Sequence, residues 1–218
     1  MSPNLSLRQA SNMLALDLPE AAIDKLLAYL DLLLRWNKVY NLTALRQPDQ
    51  VLSHHLLDCL AVLPPLRRWA DGRRLNILDV GSGGGLPGAV LAIAQPDWRL
   101  DCVDSVAKKA GFVRQVAAEL ALPNLHSHHA RVEAMRPDDH DLAISRAFAS
   151  LADFTRLTAQ LLPDSGVWLA MKAQPRAAEL AELPPDLTVF HVEQLQVPTL
   201  DAQRCLVWIR RKAADDAA

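Results

Sequence analysis

Hydrophobic positions along the chain fall into two rhythms. Through residues 5 to 60 they recur at helical spacing, with Leu26, Leu30, Leu33 and Leu34 on one side of a helix that Ala21, Ala22 and Ala28 favour. Asp17, Pro19 and Glu20 mark a helix start. The stretch "SHHLLDCLAVLPPL" predicts a further helix, capped by Ser53 and stopped by Pro64 and Pro65. After a polar connection at Asp71 to Arg74 the rhythm changes. The short apolar runs "LNILDV", "LDCVD", "NLHSHHA", "DLAISRAF" and "GVWLAMK" predict strands, with helices over Ser105 to Leu120 and through Leu162. Two longer runs, "LTVFHVEQLQV" and "QRCLVWIRR", are joined by about six residues, which permits an antiparallel pair and no parallel crossover. The alternation predicts an α/β fold: a mostly parallel sheet, helices on both faces, an antiparallel closing strand and a helical N-terminal lobe. The expected division is a lobe over 1–70, a sheet domain over 71–212 and a loose tail over 213–218. The opening "MSPNLS" is also expected to be loose.

The strand–helix alternation gives a place to "NILDVGSGGGLPGAVLAIA", Asn76 to Ala94. In an open α/β sheet, ligands bind beyond the carboxyl ends of the strands, and the glycines from Gly81 to Gly85 lie at one such end. Glycine lets a ligand approach the backbone and opens dihedrals closed to other residues. Pro87 suits the first turn of the next helix, whose N-terminus offers free donors. Gly83, Gly85 and Gly88 satisfy G-x-G-x-x-G, and Asp104 follows at dinucleotide-fingerprint spacing. Leu86 and Pro87, however, crowd the place of a pyrophosphate, which favours a nucleoside without phosphates. Asp79 and Asp104 are placed to meet the tail and the ribose hydroxyls of such a ligand.

Composition narrows the partners. Half of the 218 residues are hydrophobic and 22% are charged, enough for a sizeable core. Met1 to Asp17 is polar and broken by Pro3 and Asp17, so no signal peptide is expected; the longest apolar run, Leu26 to Leu34, is interrupted by Asp31 and too short to span a bilayer, so no membrane partner is expected. Cys59, Cys102 and Cys205 lie far apart, which suits thiols in a reducing cytoplasm. A net charge of −2 confines nucleic-acid contacts to local patches. The candidate patches are Arg67, Arg68, Arg73 and Arg74, and then Arg204, Arg210, Arg211 and Lys212. His126, His128 and His129 lack an acid or thiol at ligand spacing, and no metal is expected.

In combination, "ILDVGSGGGLPG", "VDSVAKKAGFVRQV", "ARVEAM", "DLAISRAFASL" and "GVWLAMKAQ" resemble the RsmG (GidB) family of bacterial small-subunit ribosomal RNA guanine-N7 methyltransferases. The segments "LLRWNKVYNLTALR" and "HHLLDCL" resemble that family's own signature, and the match runs in order from Leu33 to Gln174. Cys59 departs from it, where the family more often has serine. The resemblance implies a Rossmann-like class I methyltransferase fold with a seven-stranded sheet. It implies S-adenosylmethionine as cofactor and 16S ribosomal RNA, or the small subunit, as substrate. Gly81 and Leu86 in the first loop, Asp104 at the ribose, Val132 and Glu133 beside the adenine, and Arg146 at the transfer cleft are the implied cofactor contacts. Asn37, Asn41, Thr43, His54, His55 and Asp58, with Arg146, are candidates to shape the substrate pocket; Trp36 and Tyr40 read as core. Attack by guanine N7 needs no general base, so no catalytic dyad is expected, and a monomer is expected. A small-molecule methyltransferase, a non-catalytic S-adenosylmethionine sensor and an NAD enzyme are the alternatives, in that order.

Overall fold

The computed structural model describes residues 3–146, 148 and 150–212; the expected tail, 213–218, lies outside them. Helix α1 spans Pro3–Met13, so the loose start expected at "MSPNLS" gives way to helix from Pro3 onward. Helix α2, Glu20–Tyr40, begins after Pro19 and buries Ile23, Leu26, Leu30 and Leu33 along one stripe. The next segment differs from expectation. It starts at Pro48 with α3, Pro48–Val51, passes through a π-helical turn, Leu52–Leu57, and ends in α4, Asp58–Leu60. Ser53 is no cap, since its hydroxyl donates back to the Asp49 carbonyl at 2.9 Å. Pro64 and Pro65 open α5, Leu63–Ala70, because the first turn of a helix has no use for their missing N–H groups.

The sheet follows: β1 Asn76–Val80, α6 Gly88–Ala94, β2 Arg99–Asp104, α7 Ala107–Glu119, β3 Leu125–His129 and β4 Leu142–Ser145. Next come α8 Leu151–Thr158, β5 Val167–Lys172, α9 Ala177–Ala181, β6 Leu187–Leu195 and β7 Arg204–Arg211. The strand order is β3-β2-β1-β4-β5-β7-β6. The first five strands pair in parallel, and β7 runs antiparallel to both β5 and β6. A seven-stranded, mostly parallel sheet with an antiparallel last strand is therefore what the chain forms.

Two cores hold the layers. On one face Leu26, Leu33 and Leu56 of the N-terminal helices join Leu91, Phe112 and Trp208 in one continuous cluster. On the other, Leu78, Val103 and Trp168 pack with Phe154 of α8. Trp36 packs on Phe112 with ring centroids 5.4 Å apart, as a core residue does. Tyr40 lies beyond Trp36 and is 40% exposed, against the expectation that both are core. His128 Nε2 donates to the Asp101 carboxylate at 2.6 Å, while His126 and His129 are exposed on their strand. Among the described residues no helix is long and apolar enough to cross a membrane.

Candidate active site

The parallel strands β1, β2, β3 and β4 end on one edge of the sheet, where the topology directs ligands. There the chain turns through Gly81, Gly83 and Gly85, with φ of +69°, +58° and +81°. That left-handed region costs an L side chain about 1–2 kcal/mol per residue, which is why glycine occupies all three places. The loop is tied from several sides. Gly81 N–H donates to the Val103 carbonyl at 2.9 Å, and Gly83 N–H to Asp104 Oδ2 at 3.0 Å. From beneath, the buried Tyr29 hydroxyl donates to the Gly84 carbonyl at 2.6 Å.

The donors expected to be free at the start of α6 are spent. Gly88 N–H donates to Asp79 Oδ2 at 2.8 Å, and Ala89 N–H to the Gly85 carbonyl at 2.7 Å. Asp79 is therefore turned behind the loop and fully buried. Its Oδ1 has no partner. Burial pushes this carboxyl up to about 7, with the Gly88 N–H and Arg146 pulling the other way. A Cβ on Gly88 would collide with Cys102 Sγ and lie 2.9 Å from Asp79 Oδ2, so only glycine fits there.

In front of the loop lies a cavity of about 520 Å³ lined by Gly81, Asp104, Val132, Glu133, Phe148 and Lys109, among others. Gly81 faces open space, since an added Cβ would meet nothing within 4 Å. Asp104 accepts one backbone bond on each oxygen, from Gly83 and from Val106 at 2.8 Å. Each carboxylate oxygen keeps a second lone pair for a hydroxyl. Val132 is buried in the wall, and Glu133 beside it is exposed. Gly81, Asp104, Val132 and Glu133 are thus brought together as expected. Leu86 is not part of this lining; its side chain is buried in the core.

Arg146 follows β4, and Ser145 before it donates from its hydroxyl to the Val80 carbonyl at 2.9 Å, directly beside the glycine loop. The Arg146 side chain turns to the helical lobe. Its NH1 donates to the His54 carbonyl at 3.3 Å and to His55 Nδ1 at 2.9 Å, and lies 3.9 Å from Asp58 Oδ2. A guanidinium only donates, so Nδ1 of His55 accepts and Nε2 carries the proton, facing Thr43 Oγ1 at 2.6 Å. Burial first, and then the Arg146 charge, push the His55 pKa down to about 4. The ring is neutral at pH 7. Asn37 closes the far end, accepting from Thr43 N–H at 2.9 Å and donating to the Leu45 carbonyl at 2.8 Å.

Asp58 also accepts from Arg204 Nε at 3.0 Å, so the last strand joins the same network. Burial pushes the Asp58 carboxyl up, and the two arginines offset only part of that shift. Asn37, Thr43, His55, Asp58 and Arg146 are therefore one connected cluster. Asn41 stands apart: it adopts a left-handed φ of +50° at the end of α2 and accepts from Arg46 at 3.2 Å. Sequence reasoning missed two roles: that of Tyr29 beneath the glycine loop, for which no local signal exists, and that of Arg204 as partner of Asp58, since Arg204 reads from sequence as part of a basic patch for nucleic acid.

The profile of the family described as "GidB: rRNA small subunit methyltransferase G" matches residues 22–207. The "Ribosomal RNA small subunit methyltransferase G" of Leptothrix cholodnii is 54% identical over 208 residues, covering 95% of each chain. Among solved structures, TrmN from Thermus thermophilus superposes with a TM-score of 0.57 at 21% identity, over 74% of this chain and 53% of that one. A coclaurine N-methyltransferase bound to N-methylheliamine and SAH gives a TM-score of 0.53 at 13% identity, over 63% of this chain and 50% of its own. These two likenesses concern the fold alone. The sequence matches span nearly the whole chain, helical lobe included, and on them the chain belongs to the rRNA small subunit methyltransferase G family.

Proposed function

We propose that the protein transfers a methyl group from S-adenosylmethionine to N7 of one guanine in the 16S ribosomal RNA of the small subunit. One observation carries the reading: a cavity of bare glycine backbone, a carboxylate and an apolar wall, to whose Val80 the residue before Arg146, Ser145, is bonded. The residues fit the cofactor. Gly81 leaves room for its amino-acid tail, Asp104 keeps lone pairs for its ribose hydroxyls, and Val132 and Phe148 suit the flat adenine. When bound, S-adenosylmethionine supplies an electrophilic methyl group carried on a positively charged sulfur.

The chain's own residues need only position the acceptor. Guanine N7 is an unprotonated acceptor at neutral pH, so the in-line displacement asks no residue for a proton, and alignment lowers the barrier. Neutral His55 accords with this, since it takes a hydrogen bond from Arg146 and gives one to Thr43 without changing charge near pH 7. Arg146 is held by His54, His55 and Asp58, which sets the plane of its guanidinium. Its remaining donors serve an anionic or planar partner in the cleft. In this reading the enzyme works in the cytoplasm as a monomer.

The test uses methyl-labelled S-adenosylmethionine and small subunits from cells lacking the endogenous enzyme. The recovered RNA is cleaved chemically at N7-methylguanine. One labelled guanine, lost on Arg146→Ala, is the expected result. Cofactor binding without label in RNA would overturn the reading in favour of a small-molecule acceptor or a sensor.

A further inference from the structure

The two arginine groups expected to meet nucleic acid are mostly spent inside the protein. Arg67 donates to the Leu16 carbonyl at 2.8 Å, Arg73 to the Ala70 carbonyl at 3.1 Å and Arg211 to the Ala159 carbonyl at 2.8 Å. Arg68 pairs with Glu193, and Arg204 with Asp58. Cations with donors to spare lie elsewhere, at the end of α2.

There the chain doubles back. Asn41 takes the left-handed φ of +50° that asparagine tolerates, and its N–H donates to the Asn37 carbonyl at 3.3 Å. The Asn37 side chain ties down the returning loop through its bonds to Thr43 and Leu45. Arg46 is thereby brought back to the last turn of α2, where Lys38 stands. Between them opens a cavity of about 430 Å³, lined by Leu34, Asn37, Lys38, Arg46 and Pro48. This lining holds two cations and no acid.

The charge there is unmet. Arg46 gives one N–H to Asn41 Oδ1 at 3.2 Å, which is a neutral oxygen, and a guanidinium carries several more. Among the described residues Lys38 makes no hydrogen bond or ion pair. Glu119, on the far side of Lys38, pairs with Arg35 at 3.8 Å instead. Two free cations above the apolar surfaces of Leu34 and Pro48 match an anion carried next to apolar carbon, as in a sugar–phosphate backbone. The cavity also adjoins the candidate active site. Asn37 belongs to both: its Oδ1 holds Thr43, Thr43 Oγ1 meets His55, and His55 meets Arg146. Only Thr43 and His55 stand between the cavity wall and Arg146.

We propose that Lys38 and Arg46 hold a phosphodiester of the substrate RNA next to the target guanine, with its ribose against Leu34 and Pro48, and that Asn41 orients Arg46 for it. The proposal rests on the reading that ribosomal RNA is the substrate. Phosphate contacts of this kind fix register on a nucleic acid without reading its sequence, which leaves the choice of base to the cleft at Arg146.

Binding of unmodified small subunits is measured by filter retention over a salt series, with methylation kinetics alongside. Lys38→Gln and Arg46→Gln are each expected to raise Kd and KM about 10-fold, the low end for a charged hydrogen bond, with kcat unchanged. Each should also lower the salt slope by about one. Lys38→Arg keeps the charge and should stay near wild type. A cation in the last turn of a helix also offsets the helix dipole. That role alone would lower Tm and leave Kd unmoved, which would overturn the proposal. The occupant is read directly from an iron chelate tethered at Val39→Cys, since Val39 is 69% exposed and the natural cysteines are buried. Both cations are kept in this variant, and hydroxyl radicals from the chelate should cut the 16S strand beside the methylated guanine. If wild type labels RNA while Lys38→Gln and Arg46→Gln bind and methylate as wild type does, the proposal falls and the methyltransferase reading stands. Weakened binding with no cut near that guanine would assign the cavity to a protein of the subunit and likewise overturn the proposal. If wild type labels no RNA, both readings fall.

Discussion

The cavity at the ends of β1, β2 and β3 and the polar network around Arg146 lie side by side but are built by different means. Gly81 and Val132 follow parallel strands and Asp104 ends one, and the pairing of Val80 with Val103 and of Asp104 with His129 is enough to gather them. What they offer a ligand is mostly backbone and one carboxylate. The Arg146 network takes one side chain each from α2, the loop after it, the π-helical turn, α4, the end of β4 and the start of β7. Its members depend on one another: removing one leaves its neighbours with unmet donors or charges. The first region should yield to backbone changes and the second to side-chain deletions.

The largest expected effect tests the backbone region through pH. Asp79 is raised from an ordinary carboxylate value to about 7, so between those values the folded state binds more protons than the unfolded one. Stability must therefore fall as pH rises from about 4 to about 7, by an amount on the order of 4 kcal/mol. Asp79→Asn keeps an acceptor for Gly88 and should flatten that slope in urea unfolding measured from pH 5 to pH 8. A slope unchanged by the substitution would show that loop stability does not depend on this carboxyl.

Next in size is the side-chain region. Asp58→Ala leaves Arg146 and Arg204 without their shared partner. The expected loss is about 3 kcal/mol, at the low end for breaking a buried pair because both guanidiniums are partly solvated. A loss under about 1 kcal/mol in chemical denaturation would mean that the network behaves as independent surface pairs.

Two alanine substitutions sharpen the contrast within the glycine loop. Gly88→Ala must displace Cys102 or Asp79 and is expected to cost about 2 kcal/mol, read as a lower Tm. Gly81→Ala meets no atom and should cost about 1 kcal/mol from its positive φ alone, while its new methyl enters the cavity and weakens S-adenosylmethionine binding by calorimetry. Equal losses of stability with no change in affinity would contradict the assignment of Gly81 to the cavity. The smallest effect is Tyr29→Phe, which removes one hydrogen bond to the Gly84 carbonyl and is expected to cost about 1 kcal/mol in urea unfolding, with S-adenosylmethionine affinity unchanged.

Where the sequence misled, the cause is local ambiguity. Pro64 and Pro65 suit either the end of one helix or the first turn of the next, and only the packing of Leu63 and Leu66 shows which. Ser53 is a good cap residue by type, yet the turn that Pro48 opens continues through it as a π-helix. Asp79 and Asp104 look equivalent as acids at strand ends. Asp79 faces the start of α6 and Asp104 faces the cavity, because they leave different strands toward different neighbours.

The sequence by itself determined the series of short apolar strands in a mostly parallel sheet, the glycine turn after the first of them and the antiparallel closing pair. Each of these is written in spacing, turn chemistry or the length of a join, which act within a few residues. Tertiary structure alone decided that Arg204 meets Asp58, that His55 is a neutral link between Thr43 and Arg146, and that Trp69, Phe190 and Trp208 share a groove. Those contacts join residues far apart in the chain, where a lone arginine or tryptophan has no periodic signature. Only the packing of the lobe against the sheet gives it a partner.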